Sequence, residues 1–118
     1  AVPDLDVTNC LVQATRKLGL PVHTGVVQCK DSFYGQHSPE SMPVSYELTS
    51  KWDAFVQCGA LASEMESAAL YCNAARAGKK ALCICTVSDS FVKEGVNMTA
   101  QARETAFTNM IEIALEIA

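Results

Sequence analysis

The 118 residues carry 9 Lys and Arg against 13 Asp and Glu, a formal net charge of −4, and 49% of them are hydrophobic. That length suits one domain with a real core, and the composition excludes a disordered chain. The acidic balance offers no footprint for nucleic acid or for a polybasic membrane surface, and no apolar run is long enough to span a bilayer.

A first helix is predicted over 4–18. Asp4 is its N-cap, Val7, Leu11, Ala14 and Leu18 are apolar at helical spacing, Gly19 supplies the left-handed cap, and Pro21 forbids continuation. The Val-rich run 22–29 predicts a buried strand, with His23 as a structural histidine within it. Residues 30–39 read as a loop, with His37 solvated. A second helix is expected over 43–57, a short buried strand over 59–63, and a third helix over 64–77 that is apolar on nearly every side and so buried. Residues 80–87 form the strongest strand pattern, 88–99 a loop, and 100–118 a last helix with Phe107, Met110, Ile111, Ala114 and Leu115 as its apolar stripe. Helices alternating with short buried strands predict an α/β layered fold. In such folds ligands sit at the carboxyl ends of strands, which singles out the segments after Cys29, around 63–66, and after Val87.

The six cysteines (Cys10, Cys29, Cys58, Cys72, Cys83 and Cys85) form no C-x-x-C pair, and four stand in apolar runs. Buried free thiols in a reducing cytoplasm are expected, and no secretory signal opens the sequence. Cys83 and Cys85 would share a strand face, but no nearby spacing supplies further ligands, so no metal is expected.

Ser63-Glu64-Met65-Glu66 reads either as a capping box, with Ser63 capping and Glu66 reaching back, or as a carboxylate pair that accepts hydrogen bonds from a sugar diol. Ser88-Asp89-Ser90 reads either as a turn or as a general acid or base at a strand end. Acid work near neutrality asks for a raised Asp pKa, whereas Arg103 as a partner would lower it, so that pairing would have to change when substrate binds. Phe33 and Tyr34 either stack a planar ligand or fold onto the core, and the Gln36 amide could read a ligand edge. No glycine-rich phosphate motif is present.

In this order, the stretch 63–71, the run 81–89 ending in Ser-Asp, the run 102–107 starting Ala-Arg-Glu, and 25–34 ending in Phe-Tyr resemble the hexameric-type nucleoside phosphorylases. That family includes bacterial purine nucleoside phosphorylase and uridine phosphorylase. The resemblance implies a phosphorylase-like three-layer α/β fold with a mixed central sheet, of which this chain is the C-terminal half, as a single partial domain. It implies phosphorolysis of a nucleoside, purine-preferring, with uridine as the alternative substrate. Met65 would pack on the ribose and Glu66 bind its 2′- and 3′-hydroxyls. Phe33 and Tyr34 would lie near the base, and Asp89 would protonate a purine at N7 with Arg103 assisting. Glu64, Ser88 and Gln36 complete the substrate-binding set. Gln36 matches a glutamine that reads uracil in the uridine enzymes, but His37 and Ser38 stand where its arginine partner belongs. Inorganic phosphate would be the co-substrate, with no cofactor. The phosphate ligands would come from a second copy or from a complementing N-terminal half. The rival is a non-catalytic nucleoside-binding or oligomerising remnant.

Overall fold

The structure is a computed structural model that describes residues 1–91, 93, 95 and 97–118. Three positions of the predicted 88–99 loop therefore lie outside the described residues. Two compact units divide the chain: Val2–Val22 with Ala74–Ala118, and His23–Asn73 with Ala1.

The first of these is built on helix α1 (Leu5–Leu18), which starts and stops where its sequence says. Asp4 accepts the Val7 N–H at 3.0 Å, and Gly19 takes φ 68° in the left-handed region, where a side chain would be strained. Lys80 bridges Asp6 at 2.8 Å and Asp4 at 3.7 Å. Leu11, Ala14 and Thr15 of α1 are buried, as is Ile113 of helix α5 (Ala100–Glu116). The face that α5 buries differs from the predicted stripe. Ile113 is buried and Met110 and Ala114 are half-buried, while Phe107, Ile111 and Leu115 are exposed. The helix is apolar on two sides, and periodicity could not tell which one meets α1. Asp4→Ala removes the cap of α1 and should cost about 1 kcal/mol. The check is a lower urea midpoint at unchanged slope.

Residues 80–87 correct the prediction outright. They form no sheet ladder among the described residues. The Asp4 N–H donates to the Ala81 carbonyl at 2.9 Å instead. β-branched and apolar residues make a segment fit for a sheet, but a strand exists only where a neighbour pairs with it.

The other unit holds the single parallel ladder among the described residues: β1 (Val27–Cys29) and β2 (Ala62–Glu64). Its register pairs Val27 with Ala62, Gln28 with Ser63 and Cys29 with Glu64. β1 is shorter than the predicted 22–29 strand, so His23 lies outside it and is exposed. The predicted 30–39 loop contains a short helix, α2 (Phe33–His37), whose first turn is capped by Ser32 Oγ accepting the Gly35 N–H at 3.0 Å. A 3₁₀ turn (Pro39–Ser41) leads to α3 (Ser45–Gln57). Helix α4 (Ser67–Arg76) follows β2 and buries Ser67 alone, with Leu70 exposed, against the expectation of burial all round. The mixed helix and strand content is that of an α/β chain with a small parallel sheet.

None of the six cysteines is in a disulfide. They are not buried: Cys10, Cys58, Cys72 and Cys85 are exposed and Cys29 and Cys83 intermediate. No helix among the described residues is long and apolar enough to cross a membrane.

Candidate functional site

In the β1–β2 unit, strand alternation sorts the polar residues. Gln28 and Ser63 are register partners, and Gln36 of α2 bridges them. Gln36 Nε2 donates to Gln28 Oε1 at 3.3 Å, and Ser63 Oγ donates to Gln36 Oε1 at 2.9 Å. Lys30, two residues beyond Gln28, donates from Nζ to the same Gln36 oxygen. The Lys30 ammonium also lies 5.7 Å from the centre of the Phe33 ring, within cation–π range. Burial pushes the Lys30 pKa below the ordinary lysine value, and the Glu64 charge opposes that shift.

The aromatic residues of α2 are presented rather than folded away. Phe33 is 48% and Tyr34 64% exposed. Their rings meet edge to face at 5.3 Å, and His37, one helical turn on, stacks on Phe33 at 3.8 Å. His37 is exposed, as loop composition implied, and is also a ring partner of Phe33. Helical spacing i, i+4 explains the stack.

Next to them the two carboxylates of the Glu64-Met65-Glu66 turn separate. Glu64 Oε2 accepts the N–H groups of Glu66 and Ser67, each at 2.7 Å, and Oε1 accepts Ser67 Oγ at 2.6 Å. Burial raises the Glu64 pKa, but the hydrogen bonds from Ser67, from the two backbone amides and from Cys29 outweigh it, so the carboxyl is held below its ordinary value. Glu64 therefore satisfies the start of α4, and the Ser63–Glu66 capping box does not form. Ser63 turns to Gln36 instead. Glu66 is exposed, with Oε2 accepting the Met65 N–H at 3.1 Å, and Met65 is 37% exposed.

In the α1–α5 unit, Asp89 has both oxygens engaged. Ser88 Oγ donates to Oδ2 at 2.7 Å and Arg103 Nη2 to Oδ1 at 2.8 Å. The sequence offered this pairing across fourteen residues. Thr99 makes it possible by capping α5 through the Ala102 N–H at 3.1 Å, which sets Arg103 in the first turn. Asp89 also forms an antiparallel bridge with Asn97, and the Met98 N–H bonds the Ser88 carbonyl at 2.8 Å. A cavity of about 340 Å³ opens here, lined by Val87, Ser88, Asp89, Ser90, Gly95, Asn97 and Met98. Its size is at the lower end for small-molecule clefts, which run from roughly 300 Å³ upward.

The structure thus gathers Phe33, Tyr34, Gln36, Glu64, Met65 and Glu66 in one unit and Ser88, Asp89 and Arg103 in the other. Sequence reasoning passed over Lys30 and Gln28. The signal was alternation: Gln28 and Lys30 stand two apart, ahead of an aromatic pair. No group of three or more His, Cys, Asp or Glu side chains that could hold a metal ion occurs among the described residues.

Comparison with known proteins places names beside this geometry. The family described as the phosphorylase superfamily matches residues 1–118. Uridine phosphorylase of Treponema pallidum (strain Nichols) is 59% identical over 71 residues, which is 60% of this chain and 28% of that protein. Purine nucleoside phosphorylases of DeoD type are 40% identical in Colwellia psychrerythraea and 42% in Yersinia enterocolitica, each over 98% of this chain and 44% or 43% of theirs. The chain spans less than half the length of each of these relatives.

Proposed function

This chain belongs to the phosphorylase superfamily, and we propose that it carries the base and ribose site of a nucleoside phosphorylase. The reaction is phosphorolytic cleavage of a nucleoside's N-glycosidic bond to free base and ribose 1-phosphate. Purine nucleosides are the preferred substrates. Uridine is the second reading, favoured by the 59% identity to a uridine phosphorylase. The observation that carries the proposal is Asp89, oriented on both oxygens by Ser88 and Arg103 at the edge of a cavity.

In this reading a phosphate oxygen bonds to the ribose C1′ as the C1′–N9 bond breaks, and the bond pair leaves with the base. The sugar passes through an oxocarbenium-like state, and the base accumulates negative charge. Asp89 donates a proton to N7, which improves the leaving group, with Arg103 taking up the charge left behind. Glu66 accepts hydrogen bonds from the 2′- and 3′-hydroxyls, Met65 packs on the sugar, and Phe33 and Tyr34 supply ring surface for the base. Inorganic phosphate is the co-substrate and no cofactor takes part. Residues 1–118 form one partial domain. A second copy or a complementing N-terminal half supplies the phosphate ligands, in keeping with a chain less than half its relatives' length. Six cysteines outside any disulfide suit a reducing compartment such as the cytoplasm.

Calorimetric titration of the purified protein with inosine, adenosine and uridine tests the site. Saturable binding of at least one is expected, and no binding to any of the three contradicts the proposal.

A further inference from the structure

Gln36 sits in a network whose polarity is set by chemistry. A carboxamide offers two lone pairs on oxygen and two hydrogens on nitrogen. A lysine ammonium only donates, so the atom of Gln36 that faces Lys30 is the oxygen. Ser63 Oγ takes the second lone pair of that oxygen at 2.9 Å. The nitrogen gives one hydrogen to Gln28 Oε1 at 3.3 Å. Among the described residues this leaves the carboxamide one N–H to offer a ligand and no acceptor. A flip would set the NH₂ group against the ammonium and the oxygen against Gln28 Oε1. Lys30 is itself anchored twice over, by its place next to β1 and by the Phe33 ring at 5.7 Å.

We propose that Lys30 is a positioning residue that determines base specificity: it locks Gln36 as a donor, so the site takes bases presenting a carbonyl oxygen rather than an exocyclic amine. The favoured substrates are then 6-oxopurine nucleosides and uridine, and the disfavoured ones adenosine and cytidine. This rests on the nucleoside reading above and narrows it. A Gln36 whose one remaining hydrogen-bonding atom is a donor leaves that donor facing another donor when an amino base enters, and a mismatch of this kind discriminates more strongly than shape alone.

The test is the ratio of kcat/KM, and in parallel of Kd, for inosine over adenosine and for uridine over cytidine. The wild-type protein should favour the oxo member by about 10–100-fold. Lys30→Met frees an oxygen lone pair and lets the amide turn, so the ratio should fall to within about threefold of one. Lys30→Arg keeps a donor-only partner and should restore the preference, which a merely structural lysine would not predict. Gln36→Glu presents only acceptors and should move the preference toward the amino bases. A wild-type protein without the preference, or a Lys30→Met protein that binds nucleosides and keeps it, overturns the inference and leaves the nucleoside reading standing. Absence of binding to all four nucleosides overturns that reading and this inference with it.

Discussion

Asp89→Asn is expected to slow base release from inosine by about 10²–10⁴-fold while changing nucleoside affinity only a few-fold. The substitution is nearly isosteric. An asparagine Oδ1 still accepts from Arg103, and the Ser88 hydroxyl can rotate to accept from the new amide, so the local frame held by Asn97 and Met98 should persist. In the proposed mechanism, what vanishes is the proton for the departing base. Both Asp89 oxygens accept hydrogen bonds in this structure, an arrangement that suits a carboxylate. Under the proposed role, proton donation requires substrate to draw Arg103 or Ser88 away, so the expected loss falls in the chemical step rather than in binding. The ion pair itself adds little to stability, because its side chains are 37% and 49% exposed. A uracil base has no N7, so the same substitution should cost less with uridine. Equal losses of affinity and turnover would remove Asp89 as the acid.

The second large effect separates two neighbouring carboxylates. Glu66→Ala should weaken ribonucleoside binding by about 10–100-fold, the value of hydrogen bonds to a charged group. It should hardly alter the binding of a 2′,3′-dideoxynucleoside, which has no diol to offer. Glu64→Gln should do the reverse. Glu64 is spent on the amides of Glu66 and Ser67 and on Ser67 Oγ, so its loss should lower stability by about 1 kcal/mol, a figure kept small by its partial exposure. The sign with pH follows from its lowered pKa. The stabilisation is complete above the unfolded value near 4.5 and is lost as pH falls through the lower folded value. Urea midpoints of wild type and Glu64→Gln should thus differ at neutral pH and converge in acid. A Glu64→Gln protein that is as stable as wild type but binds ribonucleosides poorly would reverse the two assignments.

What the sequence made legible follows from the range of the forces involved. The ends of α1 and the close of α3 at Gln57 were readable because caps and helix stops act over a few residues. The Asp89–Arg103 pair was readable because opposite charges fourteen residues apart, one in the segment after Val87 and one in the first turn of α5, can meet without any sheet ladder. The 80–87 run was misread because hydrophobicity records fitness for burial, while the pairing partner belongs to another part of a chain. The same holds for α4, and for the outer face of α5, where Phe107, Ile111 and Leu115 stay exposed. The α2 helix was hidden by Gly35 and by loop-like composition, and the cap from Ser32 decided it. At the site, Glu64 and Glu66 looked equivalent in the sequence. Only the backbone path at the start of α4 distinguishes the carboxylate turned inward from the exposed one. The network at Gln36 depends on the register of Gln28 with Ser63, which no single strand encodes.

The measurement that tests the central claim most directly is product analysis after incubation of the purified protein with inosine, with and without inorganic phosphate. The account predicts hypoxanthine release that depends on phosphate, together with a new phosphorus resonance from a pentose 1-phosphate. Release of hypoxanthine with free ribose at the same rate in both samples would mean hydrolysis and would contradict phosphorolysis. Inosine left intact by a folded protein that binds it would contradict catalysis and favour the nucleoside-binding remnant.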